Sequence, residues 1–134
     1  MKTINETNYV DKAEKAIRSL RDKAEQQRRG RGEPKIVTTS KIRNLLAMTA
    51  DIYNQVMICQ NDKLSDDLKG RIEYLRVRFM YECGREPLVK NFVKEADILP
   101  ILKEINGSKK NYILFSRYME ALIAFHKYYD GKDW

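Results

Sequence analysis

Histidine occurs once in this chain and cysteine twice. That is too few for a metal centre of three or four nitrogen and sulfur ligands, and the carboxylates fall at no recognisable ligand spacing. Cys59 and Cys83 are too far apart in sequence to form a close metal-binding or redox pair. Half-buried thiols are the expectation, although the spacing leaves a bridge open. No apolar run approaches the roughly 20 residues that span a bilayer, and no apolar secretory segment opens the chain. The expectation is a soluble, cytoplasmic protein with no cofactor and no membrane partner. Extended alternation of Val, Ile and Thr is missing too, so nothing demands strands and an all-helical bundle is the economical architecture.

What the chain does have is positive charge. Its 134 residues carry 26 Lys and Arg against 19 Asp and Glu, a formal net charge of +7. Such an excess favours polyanionic partners, nucleic acid first, without identifying the ligand. With 43% hydrophobic and 34% charged residues, the balance is that of one globular unit.

Residues 1–35 are expected to hold an N-terminal helix and a basic linker. From Tyr9 to Arg29, Val10, Ala13, Ile17, Leu20 and Ala24 recur at helical steps. That stripe is narrow and rich in alanine, so the helix is expected to pack weakly, move, or become fixed against a partner. It runs into Arg28-Arg29-Gly30-Arg31-Gly32-Glu33-Pro34-Lys35, where glycine and proline break helical geometry. This segment reads either as a solvated linker or as an induced-fit nucleic-acid contact.

Residues 36–134 are expected to form the compact bundle, of about five or six helices with the N-terminal one included. Thr38, Thr39 and Ser40 offer N-caps before the apolar stripe Ile42, Leu45, Leu46, Thr49, Ile52, Tyr53 and Val56, which predicts a helix to about Gln60. Ser65 caps the next helix, with Asp66 and Asp67 in its first turn and Leu68, Ile72, Leu75, Phe79 and Cys83 on its buried side. Gly84 is expected to end or bend it, placing Arg85 in a junction before Pro87 opens another helix that packs Leu88, Phe92 and Val93 inward. Pro100 makes Ala96 to Ile105 a kinked continuation or a short separate helix. Asn106-Gly107-Ser108 stops it, and a final helix runs from about Asn111 to Tyr129. That helix is apolar around much of its circumference, so it is either central to the bundle or meets another copy of the protein.

Basic residues accompany these stripes. Lys41 and Arg43 sit near a helix N-terminus, where exposed amides also favour phosphate. Arg71, Arg78 and Arg85 recur every seven residues, about 10 Å apart on a helix, a spacing that permits several contacts along a phosphate backbone. Lys90 is expected on the surface of the following helix. Solubility or ion pairing explains each of these equally simply. Of eight tyrosines, Tyr74 and Tyr81 fall away from the buried stripe of their helix and are the candidates for base stacking.

Catalysis finds little support. His126 lacks an identifiable nucleophile partner, Glu104 and Glu120 read as surface or ion-pair residues, and Gly30-Arg31-Gly32 does not meet a nucleotide-binding pattern. A ribonuclease, an independent helix-turn-helix DNA-binding protein and an interaction-only bundle remain as alternative readings.

Three stretches taken together carry a resemblance. Thr38-Thr39-Ser40-Lys41-Ile42-Arg43-Asn44, Arg76-Val77-Arg78-Phe79-Met80-Tyr81-Glu82-Cys83-Gly84-Arg85 and Tyr118-Met119-Glu120-Ala121-Leu122-Ile123-Ala124-Phe125-His126-Lys127-Tyr128 resemble the small helical subunit of type III-A CRISPR interference complexes, the Csm family. The resemblance covers roughly Ile36 to Trp134. It implies a noncatalytic subunit repeated along a ribonucleoprotein filament, lining the path of the crRNA–target RNA duplex. Its implied partners are the larger backbone and signature subunits and neighbouring copies of itself, with target cleavage belonging to a backbone subunit. Carried onto this chain, Lys41, Arg43, Arg78 and Arg85 are the leading RNA-facing residues. Arg71 and Lys90 are added from surface placement. His126 then belongs to a structural closing helix.

Overall fold

In the computed structural model, six helices among the described residues pack around one apolar core. The structure describes residues 1–27, 30 and 35–130. Apart from Gly30 and Lys35, the Arg/Gly segment lies outside the described residues, as do Arg28, Arg29 and residues 131–134. The elements are α1 (Tyr9–Gln27), α2 (Thr39–Met57), α3 (Asp66–Arg85), α4 (Pro87–Glu95), α5 (Ile98–Ile105) and α6 (Lys109–Asp130). The expected all-α bundle is therefore what the chain forms.

α6 is the central helix. It packs against α1, α2 and α5, and buries Tyr112, Leu114, Phe115, Tyr118, Met119 and Leu122. This explains why its apolar residues are spread around the circumference: a helix with neighbours on several sides needs no polar face. α1 lies on α6 and α4 and gives the core Ala13, Ala16, Ile17 and Leu20. Two of these are alanines, so the apolar area that α1 buries is small, as its narrow stripe predicts. Val10, counted in that stripe, is exposed.

Local chemistry sets the helix ends. Thr38 adopts an extended backbone and its hydroxyl accepts from the Lys41 amide; Ser65 does the same for Leu68. Both bonds satisfy amides that the first helical turn leaves without partners. α2 ends at Met57 rather than near Gln60, and the Lys109 ammonium donates to the Met57 and Cys59 carbonyls at this end. α3 runs one residue past Gly84, to Arg85, which stands at the junction with α4. Glu86 then serves as both the C-cap of α3 and the N-cap of α4, with Pro87 in the first turn as expected. Within α4, Val89 is buried and Leu88 only half-buried, a shift of one position from the expected stripe.

α5 is a separate helix. Asp97 before it and Asn106 after it both lie in the left-handed region, with φ of 55° and 46°. Pro100 sits in its first turn, where its missing N–H leaves no helical bond unmade. Gly107 lies at φ 73°, in the left-handed region that favours glycine; a Cβ there would stand 2.6 Å from the Lys69 Cε, which the flexible lysine end would have to vacate. Asp62 closes the start of α6. Its carboxylate accepts from the Lys110 amide at 2.9 Å and from the Ser108 hydroxyl at 3.0 Å. These bonds hold the Asp62 carboxyl below the usual range.

Candidate nucleic-acid interface

The first turn of α2 is anchored from beneath by α6. His126 is fully buried; its Nε2 donates to the Val37 carbonyl at 2.7 Å, and its Nδ1 lies 3.0 Å from the Thr39 hydroxyl. A carbonyl can only accept, so Nε2 carries a proton, and in the neutral ring Nδ1 accepts from Thr39. Thr39 and His126 stand at the distance of a nucleophile and base, but both are sealed from solvent. No substrate reaches them. Together with the Thr38 cap, this contact fixes where Lys41 leaves the helix.

α2 and α3 pack side by side, and an open groove follows their seam. Lys41, Asn44, Met48, Arg78, Glu82, Arg85 and Glu86 line one end. The other end, about 610 Å³ in volume, has a floor of Met48, Ile52 and Leu75 and a rim that includes Asp51, Gln55, Asp66, Asp67, Arg71, Tyr74 and Arg78. Met48 and Arg78 line both ends, so the two adjoin along the seam. The heptad spacing of Arg71, Arg78 and Arg85 places them along its α3 edge because seven residues make almost two complete turns.

Of the six basic residues singled out in the sequence, the groove brings together Lys41, Arg71, Arg78 and Arg85. Arg43 is exposed, but two residues beyond Lys41 is a little over half a turn, so it points to the other side of α2. Lys90 is exposed on α4, outside the groove; its charge opposes the upward push that burial gives the Cys83 thiol. Both cysteines are half-buried free thiols.

Carboxylates share the groove. Lys41 pairs with Glu86, Arg71 with Asp67 at 3.2 Å, and Arg85 with Glu82 at 3.7 Å. Among the described residues, Arg78 alone of these four has no ion pair or hydrogen bond. The Arg71–Asp67 pair is solvent-exposed and contributes little, roughly 0–1 kcal/mol, and the other two are partly exposed, so an incoming phosphate can exchange for them. The lining residues that the sequence reading missed are Asn44, Asp51, Gln55, Glu82 and Glu86. The first three continue Lys41 and Met48 at helical steps along one edge of the α2 stripe, and that periodicity was the available signal.

The outer face of α3 is unusually apolar for an exposed surface. Tyr74, Val77, Met80 and Tyr81 are 61%, 56%, 53% and 60% exposed. Tyr74 and Tyr81 are interleaved with Arg71, Arg78 and Arg85, as the sequence reading of their helix anticipates. No group of three or more His, Cys, Asp or Glu that could hold a metal ion occurs among the described residues, and none of their helices is long and apolar enough to cross a membrane.

Residues 14–132 match the model of the family described as Csm2 Type III-A. The CRISPR system Cms protein Csm2 of Streptococcus thermophilus is 41% identical over 133 residues, 99% of this chain and 100% of that protein. The protein of the same name from Mycobacterium tuberculosis is 44% identical over 97 residues, 72% of this chain and 78% of its own length. That from Enterococcus italicus is 36% identical over 110 residues, covering 77% and 79%. The match takes in α2, α3 and α6 whole and α1 from Glu14 onward. The chain therefore belongs to the Csm2 family, the noncatalytic small subunits of type III-A CRISPR effector complexes.

Proposed function

We propose that this subunit lines the crRNA–target RNA duplex of a cytoplasmic type III-A complex and steadies it through phosphate contacts from Lys41, Arg71, Arg78 and Arg85. The observation that carries this reading is the convergence of four separately placed basic side chains on one open groove, three of them at heptad intervals. Such contacts neutralise backbone charge and fix register without reading bases, which leaves sequence discrimination to guide–target pairing. Arg43 and Lys90, on other faces, would serve a second strand or a neighbouring subunit. One copy offers few contacts. Repetition along an assembly would raise the effective concentration of each.

Exposed Val77, Met80 and Tyr81 favour a protein-facing role for the rest of the α3 surface, and we assign it to adjoining subunits of the complex, either the backbone or further copies of this chain. The five carboxylates in the groove favour a purely interaction-based reading as the rival. To separate the two, Lys41, Arg71, Arg78 and Arg85 are changed to Gln in a reconstituted complex, and RNA affinity is followed across a salt series. Weaker binding with a flatter salt dependence supports the RNA reading. Unchanged RNA affinity in a fully assembled variant overturns it.

A further inference from the structure

We propose that the Tyr74 end of the groove receives an unpaired nucleobase, with Arg71 and Arg78 holding the phosphates on either side of it at the mouth. This rests on the RNA reading above and goes beyond backbone contact. The chemistry of the lining separates base from phosphate. Asp51, Asp66 and Asp67 surround this end while only Arg71 and Arg78 answer them, so a phosphate driven into it meets more negative charge than positive. A neutral planar ring meets none of that penalty.

Three features suit such a ring. The floor of Met48, Ile52 and Leu75 is apolar. The wall is the Tyr74 phenol, which is 61% exposed and therefore has a face left to stack on. Asp51 and Gln55 stand on the α2 rim as acceptors for an exocyclic amino group, which adenine, cytosine and guanine carry and uracil does not. A volume of about 610 Å³, open to solvent, admits a base with its sugar outside. The base must first leave its stack, so perfectly paired duplex is a poor occupant and a bulged or single-stranded nucleotide a good one.

The test uses the full chain and the reconstituted complex with three RNAs of one sequence: single-stranded, perfectly duplexed, and duplexed with one bulged 2-aminopurine. The expected result is quenching of the bulged 2-aminopurine on binding, and a preference for the bulged over the perfect duplex. Tyr74→Leu is expected to abolish the quenching and cut affinity for the bulged RNA roughly tenfold while leaving the perfect duplex unchanged. Tyr74→Phe should retain both. Because Tyr74 is exposed, neither substitution threatens folding. If Tyr74→Leu keeps the quenching and the preference, the base site is wrong even though Arg78→Gln weakens all three RNAs. If the wild-type complex binds none of them, the RNA reading itself fails. Quenching by the isolated chain that disappears on assembly would give the groove to a protein neighbour and overturn the proposal.

Discussion

The phenol of Tyr112 donates to the main-chain carbonyl of Thr49 at 2.6 Å, joining α6 to α2 at a point fully shielded from solvent. Burial pushes this phenol well above its ordinary pKa, so it remains a donor throughout any pH at which the protein is studied. Tyr112→Phe keeps the ring and its tilted contact with Phe115 while removing the donor. The expected loss is about 1 kcal/mol, read as a fall in the denaturation midpoint with unchanged slope. No measurable loss would mean that the carbonyl is served as well by its own helix.

His126→Ala removes both the donor to Val37 and the partner of Thr39, and opens a small cavity beneath α2. A destabilisation of about 2–4 kcal/mol is expected. Because Lys41 leaves from the turn that His126 anchors, RNA affinity of the assembled complex should fall as well, although His126 lies out of reach of RNA. A variant that melts earlier yet binds RNA normally would show that the turn holds its own geometry.

Single neutralisations should not be equivalent. Arg71, Arg85 and Lys41 must exchange a carboxylate for a phosphate, whereas Arg78 has no partner among the described residues to give up. Arg78→Gln is therefore expected to weaken RNA binding more than Arg71→Gln or Arg85→Gln, and to lower the salt slope by about 0.7–0.9. Equal effects from all three, measured at two salt concentrations, would contradict this ranking.

Acid should release the N-terminal residues before it unfolds the bundle. Burial raises the Glu104 carboxyl, but bonds from the Thr3 hydroxyl and amide and from the Lys2 amide outweigh it and hold the group below its ordinary value of 4.5. A depressed carboxyl contributes stability above its unfolded pKa and loses it as pH falls through the folded one. Amide exchange at Lys2 and Thr3 should thus accelerate selectively below about pH 4.5, and Glu104→Gln should flatten that dependence. Exchange that quickens uniformly across α2 and α6 would show global unfolding instead.

Gly70 and Gly84 both sit inside α3 with open space where a Cβ would stand. Gly84→Ala and Gly70→Ala should each stabilise the chain by about 0.5–1 kcal/mol, since alanine loses less backbone entropy in a helix. Thermal melting of the pair of variants settles the sign.

Gly84 was legible to within one residue: a glycine three residues before a proline is a reasonable stop signal, and α3 ends just past it, at Arg85. Thr38 and Ser65 were legible as caps because their bonds close within three residues. The contact of His126 with Thr39 spans 87 residues and leaves no local trace, although a histidine on an apolar stripe marks a position in need of a partner. The α3 arginines were legible from their heptad spacing, but their shared groove with Lys41 was not. It depends on which edge of α2 meets α3, and that is decided by the core. Arg43 and Lys90 carry the same charge as their neighbours in sequence, and only the turn of the helix separates them from the groove.

Glu86 closes α3, opens α4 and receives Lys41 from α2. Three helices thus meet at one residue with no intervening loop to stretch or fold. If RNA is held as proposed, a load applied to Arg85 passes through Glu86 into α4 and the core residues Val89, Phe92 and Val93 with no loop between. Such a grip would bend little to follow a polymer, and along a row of identical copies the spacing of the held points would be dictated by protein, with the flexible strand making the accommodation.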